Sequence, residues 1–355
     1  MRWDGQNRAV GADGALPGLA LAGHQRSVRT PEFSGVTFHE VHARSALNKV
    51  PEASAMPFRW TVNPMRGCQH ACTYCFARPT HEYLGLGAGE DFETQIVVKT
   101  NVVEVLAAEL HRPSWWREHV ALGTNTDPYQ WAEGRYSLMP GIVGALAHSG
   151  TPMSMLTKGT LLRRDLPLLA EAATQVEVSV AVSLAIGDEE LQQTMEPGTP
   201  TPRARLALVR AVREAGLECG VLVAPVMPWL TDGTAHLDGL FRELAEVGVS
   251  WVTVMPLHLR GPVRPLMLSW LAEHRADLVP HYRRLYGTGA YLPQEYRRWL
   301  SERVRPLRRR YGLHGPTAAP ADGEVPSFSP WRAPAVASRE TPAAALPGAV
   351  QPALF

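Results

Sequence analysis

From Phe58 onward the chain alternates short runs of β-branched and apolar residues with longer stretches whose apolar positions recur every third or fourth residue. Side chains alternate across a strand but return to one face of a helix after about one turn, so the short runs read as strands and the longer stretches as amphipathic helices. Runs at Phe58–Val62, His119–Gly123, Met153–Thr157, Val176–Leu184, Cys219–Val226 and Trp251–Leu257 predict six strands. Helices are predicted between them over Thr100–Leu110, Leu138–Ala147, Leu161–Ala173, Pro202–Ala215 and His236–Val247. Strands that alternate with helices predict a parallel sheet with crossover connections. Six such units predict an α/β fold of partial (β/α)6 barrel type rather than a closed eight-stranded barrel.

The flanks have a different rhythm. Residues 1–55 are mostly Gly, Pro and polar, with Phe38–His42 the one marked strand or short helix, and are expected to form an extended arm on the main unit of 56–260. Beyond Arg260 only helical patterns remain, at Leu266–His274, Asp277–Tyr286 and Pro293–Tyr311, so 261–313 is expected to close one end of the barrel. Residues 314–355 are rich in Pro and Ala and poor in aliphatic side chains; this composition predicts disorder.

Composition narrows the class without naming a function. With 45% hydrophobic and 19% charged residues the chain reads as globular, and a net charge of +1 gives no global electrostatic case for nucleic acid or membrane. No apolar run approaches the roughly 20 residues of a membrane span, and the start lacks a basic region followed by an apolar core. Four cysteines are too few for a disulfide framework. A reducing, cytoplasmic compartment is the expectation.

Three of those four cysteines fall in Asn63-Pro64-Met65-Arg66-Gly67-Cys68-Gln69-His70-Ala71-Cys72-Thr73-Tyr74-Cys75-Phe76-Ala77-Arg78, spaced C-x3-C-x2-C directly behind the first predicted strand. Thiolates are the usual ligands of iron-sulfur clusters, and three from one loop can hold three irons of a cubane, leaving the fourth open. The alternative is structural zinc with His70 or His81 as fourth ligand, although zinc knuckles present paired C-x2-C ligands that this spacing does not supply. Buried cysteines acting as small apolar groups are the third reading, and the Gly, His, Gln and Arg neighbours argue against it.

C-x3-C-x2-C with an aromatic residue, here Tyr74, before the last cysteine resembles the signature of the radical S-adenosylmethionine (SAM) superfamily. The string NPMRGCQHACTYCFAR, followed by THEYLGLGAGEDFETQIVVKTN, is similar to the branch related to spore photoproduct lyase, in particular its uncharacterised bacterial members, and the similarity runs from about Met1 to about Tyr311. The resemblance implies a 4Fe-4S cluster on Cys68, Cys72 and Cys75 with SAM on the open iron. It also implies an electron donor of flavodoxin or ferredoxin type, and reductive cleavage of SAM to methionine and a 5'-deoxyadenosyl radical that abstracts hydrogen from a substrate. Tyr74 would then pack beside the adenine. Spore photoproduct lyases carry a cysteine hydrogen donor near the end of the second strand; here His119–Thr126 contains none, which argues against DNA photoproduct repair.

Further candidates follow the other strands. Thr124, Asn125, Thr126 and Asp127 form a polar turn behind the second strand, which in the superfamily holds the amino group of SAM; as a plain turn, its Asx side chains would cap the next segment. Lys158, behind the third strand, is a candidate partner for the methionyl carboxylate. Ser183, near the end of the fourth, is a candidate for that carboxylate or the ribose. Glu196 and Arg203 flank Pro197-Gly198-Thr199-Pro200-Thr201-Pro202, which opens a helix, and form a candidate charged pair facing cofactor or substrate. Cys219 reads as a core residue. Arg297, Arg298, Arg303, Arg305, Arg308, Arg309 and Arg310 on the last helix read as a solvated face, with a phosphate-binding stripe for nucleic acid as the alternative. A radical enzyme directed at nucleic acid, on the strength of the branch resemblance and the arginine helix, is the alternative within the class, and a non-catalytic zinc module contacting nucleic acid is the rival function from another class.

Overall fold

The computed structural model describes residues 22–52, 54 and 56–313. The expected disordered tail and the first part of the arm lie outside the described residues. The strands in chain order are β1 (His24–Val28), β2 (Thr37–Val41), β3 (Leu47–Lys49), β4 (Trp60–Val62), β5 (Met65–Arg66), β6 (Gln95–Lys99), β7 (Val120–Leu122), β8 (Met153–Thr157), β9 (Val178–Ser183), β10 (Cys219–Val226) and β11 (Trp251–Pro256).

Seven strands form one sheet in the order β11-β10-β9-β8-β7-β4-β3. β4 and β7 to β11 run parallel and neighbour one another in chain order; β3 caps the edge antiparallel to β4. The six predicted strands are these six. Among the described residues β11 and β3 each have one neighbour in this sheet, so the barrel is open, as six units predict. Parallel strands put all six C-terminal ends on one side, where ligands gather in such sheets.

The helices are α1 (Asp91–Thr94), α2 (Val102–Leu110), α3 (Trp131–Tyr136), α4 (Met139–His148), α5 (Leu166–Ala172), α6 (Glu189–Met195), α7 (Pro202–Glu214), α8 (Thr234–Glu246), α9 (Val263–His274), α10 (Val279–Tyr286) and α11 (Gln294–Arg310). Their apolar faces cover the sheet. In α7, for example, Arg205, Leu208, Val209 and Val212 are all buried, the i, i+3, i+4, i+7 stripe of a helix lying on a core.

One sheet was not foreseen. β1, β2, β6 and β5 form a separate four-stranded sheet, in that order, with β2 parallel to β6 and β5 antiparallel to it. Part of the expected arm therefore supplies two paired strands. All five residues of β2 are buried, because Phe38 joins the main core while Val41 packs with Leu84, Leu86 and Val97 on the other side. Pairing such as Phe38 with Ile96 spans more than fifty residues, and local periodicity carries no trace of it.

Glu109 on α2 ties the barrel edge down. Its carboxylate accepts from the Ser45 hydroxyl (2.7 Å) and from the backbone N–H groups of Ala46 (2.9 Å) and Leu47 (2.8 Å). Glu109→Ala leaves these donors unmatched and is expected to cost about 2–3 kcal/mol in urea unfolding, with Glu109→Gln, which keeps one acceptor, costing less.

Candidate active site

The cysteine loop leaves β5 through Gly67, whose φ of +78° suits glycine and whose missing Cβ would stand 2.9 Å from the Phe92 carbonyl. Two successive turns follow, closed by Ala71 N–H to Cys68 O (3.2 Å) and Cys75 N–H to Cys72 O (3.2 Å). They bring Cys68, Cys72 and Cys75 together, each within electrostatic reach of the other two, and all three are free thiols. Burial first, then the neighbouring Cys68, pushes Cys75 up to about 11; burial likewise holds Cys72 well above the ordinary thiol range. Such a group of thiols calls for a cation to hold them as thiolates.

Protein contacts fix the loop from three sides. Arg78 uses its guanidinium N–H groups on the carbonyls of Cys72 (2.9 Å), Ala71 (3.1 Å), Ala88 (3.1 Å) and Gly89 (3.0 Å) and on the Glu93 carboxylate. The buried amide of Gln130 accepts from Gln69 N–H (3.0 Å) and donates to Gly67 O (3.1 Å). From the third side, Thr73 N–H donates to Met195 O (2.9 Å) and Gly198 N–H to His70 O (3.2 Å). Gly198 approaches so closely that a Cβ there would lie 1.8 Å from Gln69 O.

Of the polar turn behind β7, two members are committed to protein partners. Thr126 donates to Met65 O (2.9 Å). Asp127 accepts from Thr157 Oγ1 (2.5 Å), Lys158 N–H (2.6 Å) and Tyr129 N–H (2.9 Å), and pairs with His70 Nδ1 at 3.3 Å. Burial opposes the charge on His70, yet Asp127 and Cys68 outweigh it and His70 is raised to about 10; Asp127 is correspondingly lowered despite its own burial. Thr124 and Asn125 are half-buried beside them.

A second polar group sits against the loop. Glu196, fully buried at the end of α6, accepts from the Tyr74 hydroxyl, pairs with Arg205 (2.6 Å) and lies 3.7 Å from Lys158 Nζ. Lys158 donates to Ser183 Oγ (2.7 Å) and stands 5.7 Å from the Tyr74 ring centroid; Arg205 donates to Ser183 O (3.1 Å). The structure thus gathers Tyr74, Lys158, Ser183 and Glu196 beside the cysteines. Arg203 is not among them: it is exposed, and Arg205 is the partner of Glu196. The cause is helix phase, since Thr201 caps α7 by accepting from Ala204 N–H and so turns position 205, not 203, inward. The apolar stripe at 208, 209 and 212 carries that signal in the sequence. Gln130 and Arg78 were also missed, and for Gln130 no local signal exists.

His70 lies between Asp127 and Cys68, and His81 Nε2 bonds to Gln95 O at 2.9 Å. No three His, Cys, Asp or Glu side chains among the described residues converge on a single metal ion. A cubane differs, since it spreads its thiolates over separate irons. Cys219 lies at the start of β10, at the opposite end of the sheet from the cysteine loop, fully buried. On α11, Arg303 donates to Asp232 O (3.2 Å), Arg308 to Val252 O (3.0 Å) and Arg310 to Asp238 (3.0 Å), which leaves Arg297, Arg298, Arg305 and Arg309 as exposed members with no hydrogen-bond partner among the described residues. No helix among the described residues is long and apolar enough to cross a membrane.

Arg205→Ala strands a buried carboxylate and is expected to destabilise the chain by about 3–5 kcal/mol in anaerobic urea titration. Arg203→Ala is expected to change stability by no more than about 0.5 kcal/mol.

A family model described as the radical SAM superfamily matches residues 62–237, which include the cysteine loop and the strands from β5 to β10. An uncharacterized protein of Mycobacterium tuberculosis (strain ATCC 25618 / H37Rv) is 64% identical over 319 residues, covering 89% of this chain and 94% of that protein. One from Methanocaldococcus jannaschii is 24% identical over 201 residues, covering 56% of this chain and 71% of its own. Among solved structures, spore photoproduct lyase complexed with dinucleoside spore photoproduct matches with a TM-score of 0.59 at 17% identity, over 78% of this chain and 81% of that one. A mutant form of that enzyme with bound AdoMet and the same dinucleoside gives a TM-score of 0.59, also at 17% identity, over 78% of this chain and 80% of its own. At such identity the likeness is one of fold. Together with the cysteine motif, these matches establish that the chain belongs to the radical SAM superfamily, with a fold similar to that of spore photoproduct lyase.

Proposed function

We propose that the protein is a radical SAM enzyme in which Cys68, Cys72 and Cys75 hold a 4Fe-4S cluster and the polar group around Lys158 receives SAM. The observation that carries this reading is the meeting of three free thiols from one loop with Tyr74, Lys158, Ser183 and Glu196 at the C-terminal ends of the parallel strands. When bound, the cluster and SAM supply reductive cleavage to methionine and a 5'-deoxyadenosyl radical, the electron coming from a flavodoxin- or ferredoxin-type donor.

The chain's own residues prepare the place. Lys158 keeps its ammonium at the edge of the site, 12% exposed, where a carboxylate can join Ser183 as its partner. Glu196 fixes the Tyr74 hydroxyl, which orients the ring that would flank the adenine. Because Thr126 and Asp127 are engaged with protein, Thr124 and Asn125 are the members of that turn left to meet the amino group of SAM. Asp127 instead joins the cysteine loop, through His70, to the end of β8. The buried setting keeps water from the reacting centre.

Anaerobic reconstitution with iron and sulfide, followed by reduction with SAM, tests the proposal. The parent is expected to bind about four irons per chain, to absorb in the visible and to form 5'-deoxyadenosine. Cys72→Ala is expected to form none. Lys158→Met should keep its iron while deoxyadenosine formation falls by about tenfold or more. Gly198→Ala should retain less iron, because its methyl group displaces the loop at Gln69. A colourless parent that retains zinc under the same treatment overturns the reading.

A further inference from the structure

The segment that follows β11 divides the thiol-bearing core from solvent. Leu257 and Leu259 are 1% and 2% exposed and join the apolar cluster that contains Cys72 and Tyr74, with Cys75 packed against it. His258 and Arg260, which alternate with them, are exposed. Successive side chains of extended backbone point to opposite sides, so one side of this segment belongs to the core around the cysteines and the other faces outward. Its continuation meets the exit of the cysteine loop, where a Cβ on Gly261 would lie 4.0 Å from the ring of Pro79. Cys75 is the half-buried member of the three thiols, and Phe76 beside it is 64% exposed.

The outward side is positive and held in shape. Arg260 stands 4.9 Å from the centroid of the Tyr291 ring, and the His258 ring meets the same ring edge-on at 4.8 Å. The loop that carries Tyr291 is fixed there by Leu259 N–H to Ala290 O (2.8 Å) and by the Arg264 guanidinium, which donates to Gly289 O (2.8 Å) and Gly287 O. Partial burial, then repulsion from Arg260 and Arg297, lowers His258 from the ordinary imidazole range. Arg297, in the first turns of α11, therefore contributes to the same field, and the charges that act on His258 are both positive. Tyr291 is 48% exposed, and a tyrosine beside arginines is the kind of surface on which protein partners anchor.

We infer that His258, Arg260, Tyr291 and Arg297 form the docking surface for an acidic electron-donor protein, which stays outside the barrel mouth and passes its electron inward past Leu257 and Leu259. The inference rests on the cluster proposed above. A substrate of the radical has to enter the site, whereas these side chains face away from it; an electron needs only that donor and cluster come close across a thin layer of protein. In the transfer one electron leaves the reduced flavin of the donor and enters the cluster, and no bond forms or breaks. A positive surface speeds the approach of an acidic partner at low ionic strength and loses that advantage as salt screens it.

Stopped-flow reduction of the iron-reconstituted full chain, followed without SAM by bleaching of the visible absorbance, tests the inference. The probe is a reduced flavodoxin with an acidic face, compared with photoreduced 5-deazariboflavin, a small uncharged donor that needs no docking surface. With flavodoxin at about 0.05 M salt, Arg260→Glu combined with Arg297→Glu is expected to lower the second-order rate constant by about tenfold or more, and the difference is expected to shrink at about 0.5 M. Arg210→Glu, an equal charge change at an exposed position of α7, is expected to alter it by less than about twofold. With deazariboflavin the parent and the variants are expected to bleach alike, which shows that they fold and keep their iron. If the double reversal assembles no cluster, Arg260→Gln combined with Arg297→Gln carries the test through a loss of about threefold. A double variant that takes electrons from flavodoxin as fast as the parent overturns the inference, and an oligothymidylate bound by the parent but not by that variant then assigns the patch to nucleic acid. A parent that forms no cluster overturns the underlying reading and this inference together, an outcome distinct from failure of the docking surface alone.

Discussion

Glu196 is the group on which the site's arrangement depends. A carboxylate wholly removed from water persists only if its oxygens are matched by cations and hydrogen bonds. Here one oxygen faces the Tyr74 hydroxyl and Lys158, the other faces Arg205. Those partners come from the cysteine loop, the end of β8 and the first turns of α7, so the need to satisfy one charge sets three separate segments in place. Ser183, at the end of β9, accepts from both cations, through its hydroxyl from Lys158 and through its carbonyl from Arg205. The network therefore crosses three neighbouring positions at the mouth of the sheet.

The cysteine loop itself is held by backbone contacts as well as by packing. Arg78 and Gln130 bond main-chain groups of the loop from both ends, and Gly67 and Gly198 allow carbonyls to approach where a methyl group would collide. A loop braced in this way has its thiols gathered before any metal arrives, so less ordering remains to be done on binding. Asp127 extends the bracing through His70 to Thr157 and Lys158. Its role is positional, and it couples the cysteines to the lysine that faces them.

Much of this was legible in the sequence because the barrel is local in its logic. Each of the six parallel strands follows its own turn and precedes its own helix, so alternation and turn chemistry reveal it. The cysteines were legible for a different reason: three thiols at fixed spacing have few other uses. β6 was not, because its partners are Phe38 on one side and Met65 on the other, and only the fold brings them together. Arg205 illustrates a middle case. Charge alone pointed to Arg203, whereas the apolar stripe of α7 places Arg205 in line with Leu208, Val209 and Val212. Reading an arginine as part of a buried stripe requires a partner to be expected inside, and Glu196 supplies it.

The buried cations at the barrel mouth are arranged in a way that bears on function. At the barrel mouth Arg205 is neutralised by Glu196, while Lys158 is shared between Ser183, Glu196 and the thiols. Burial pulls Lys158 down and the nearby Cys72 pulls it up, so its charge and the ionisation of the cysteines support each other. The arrangement is balanced from within the chain.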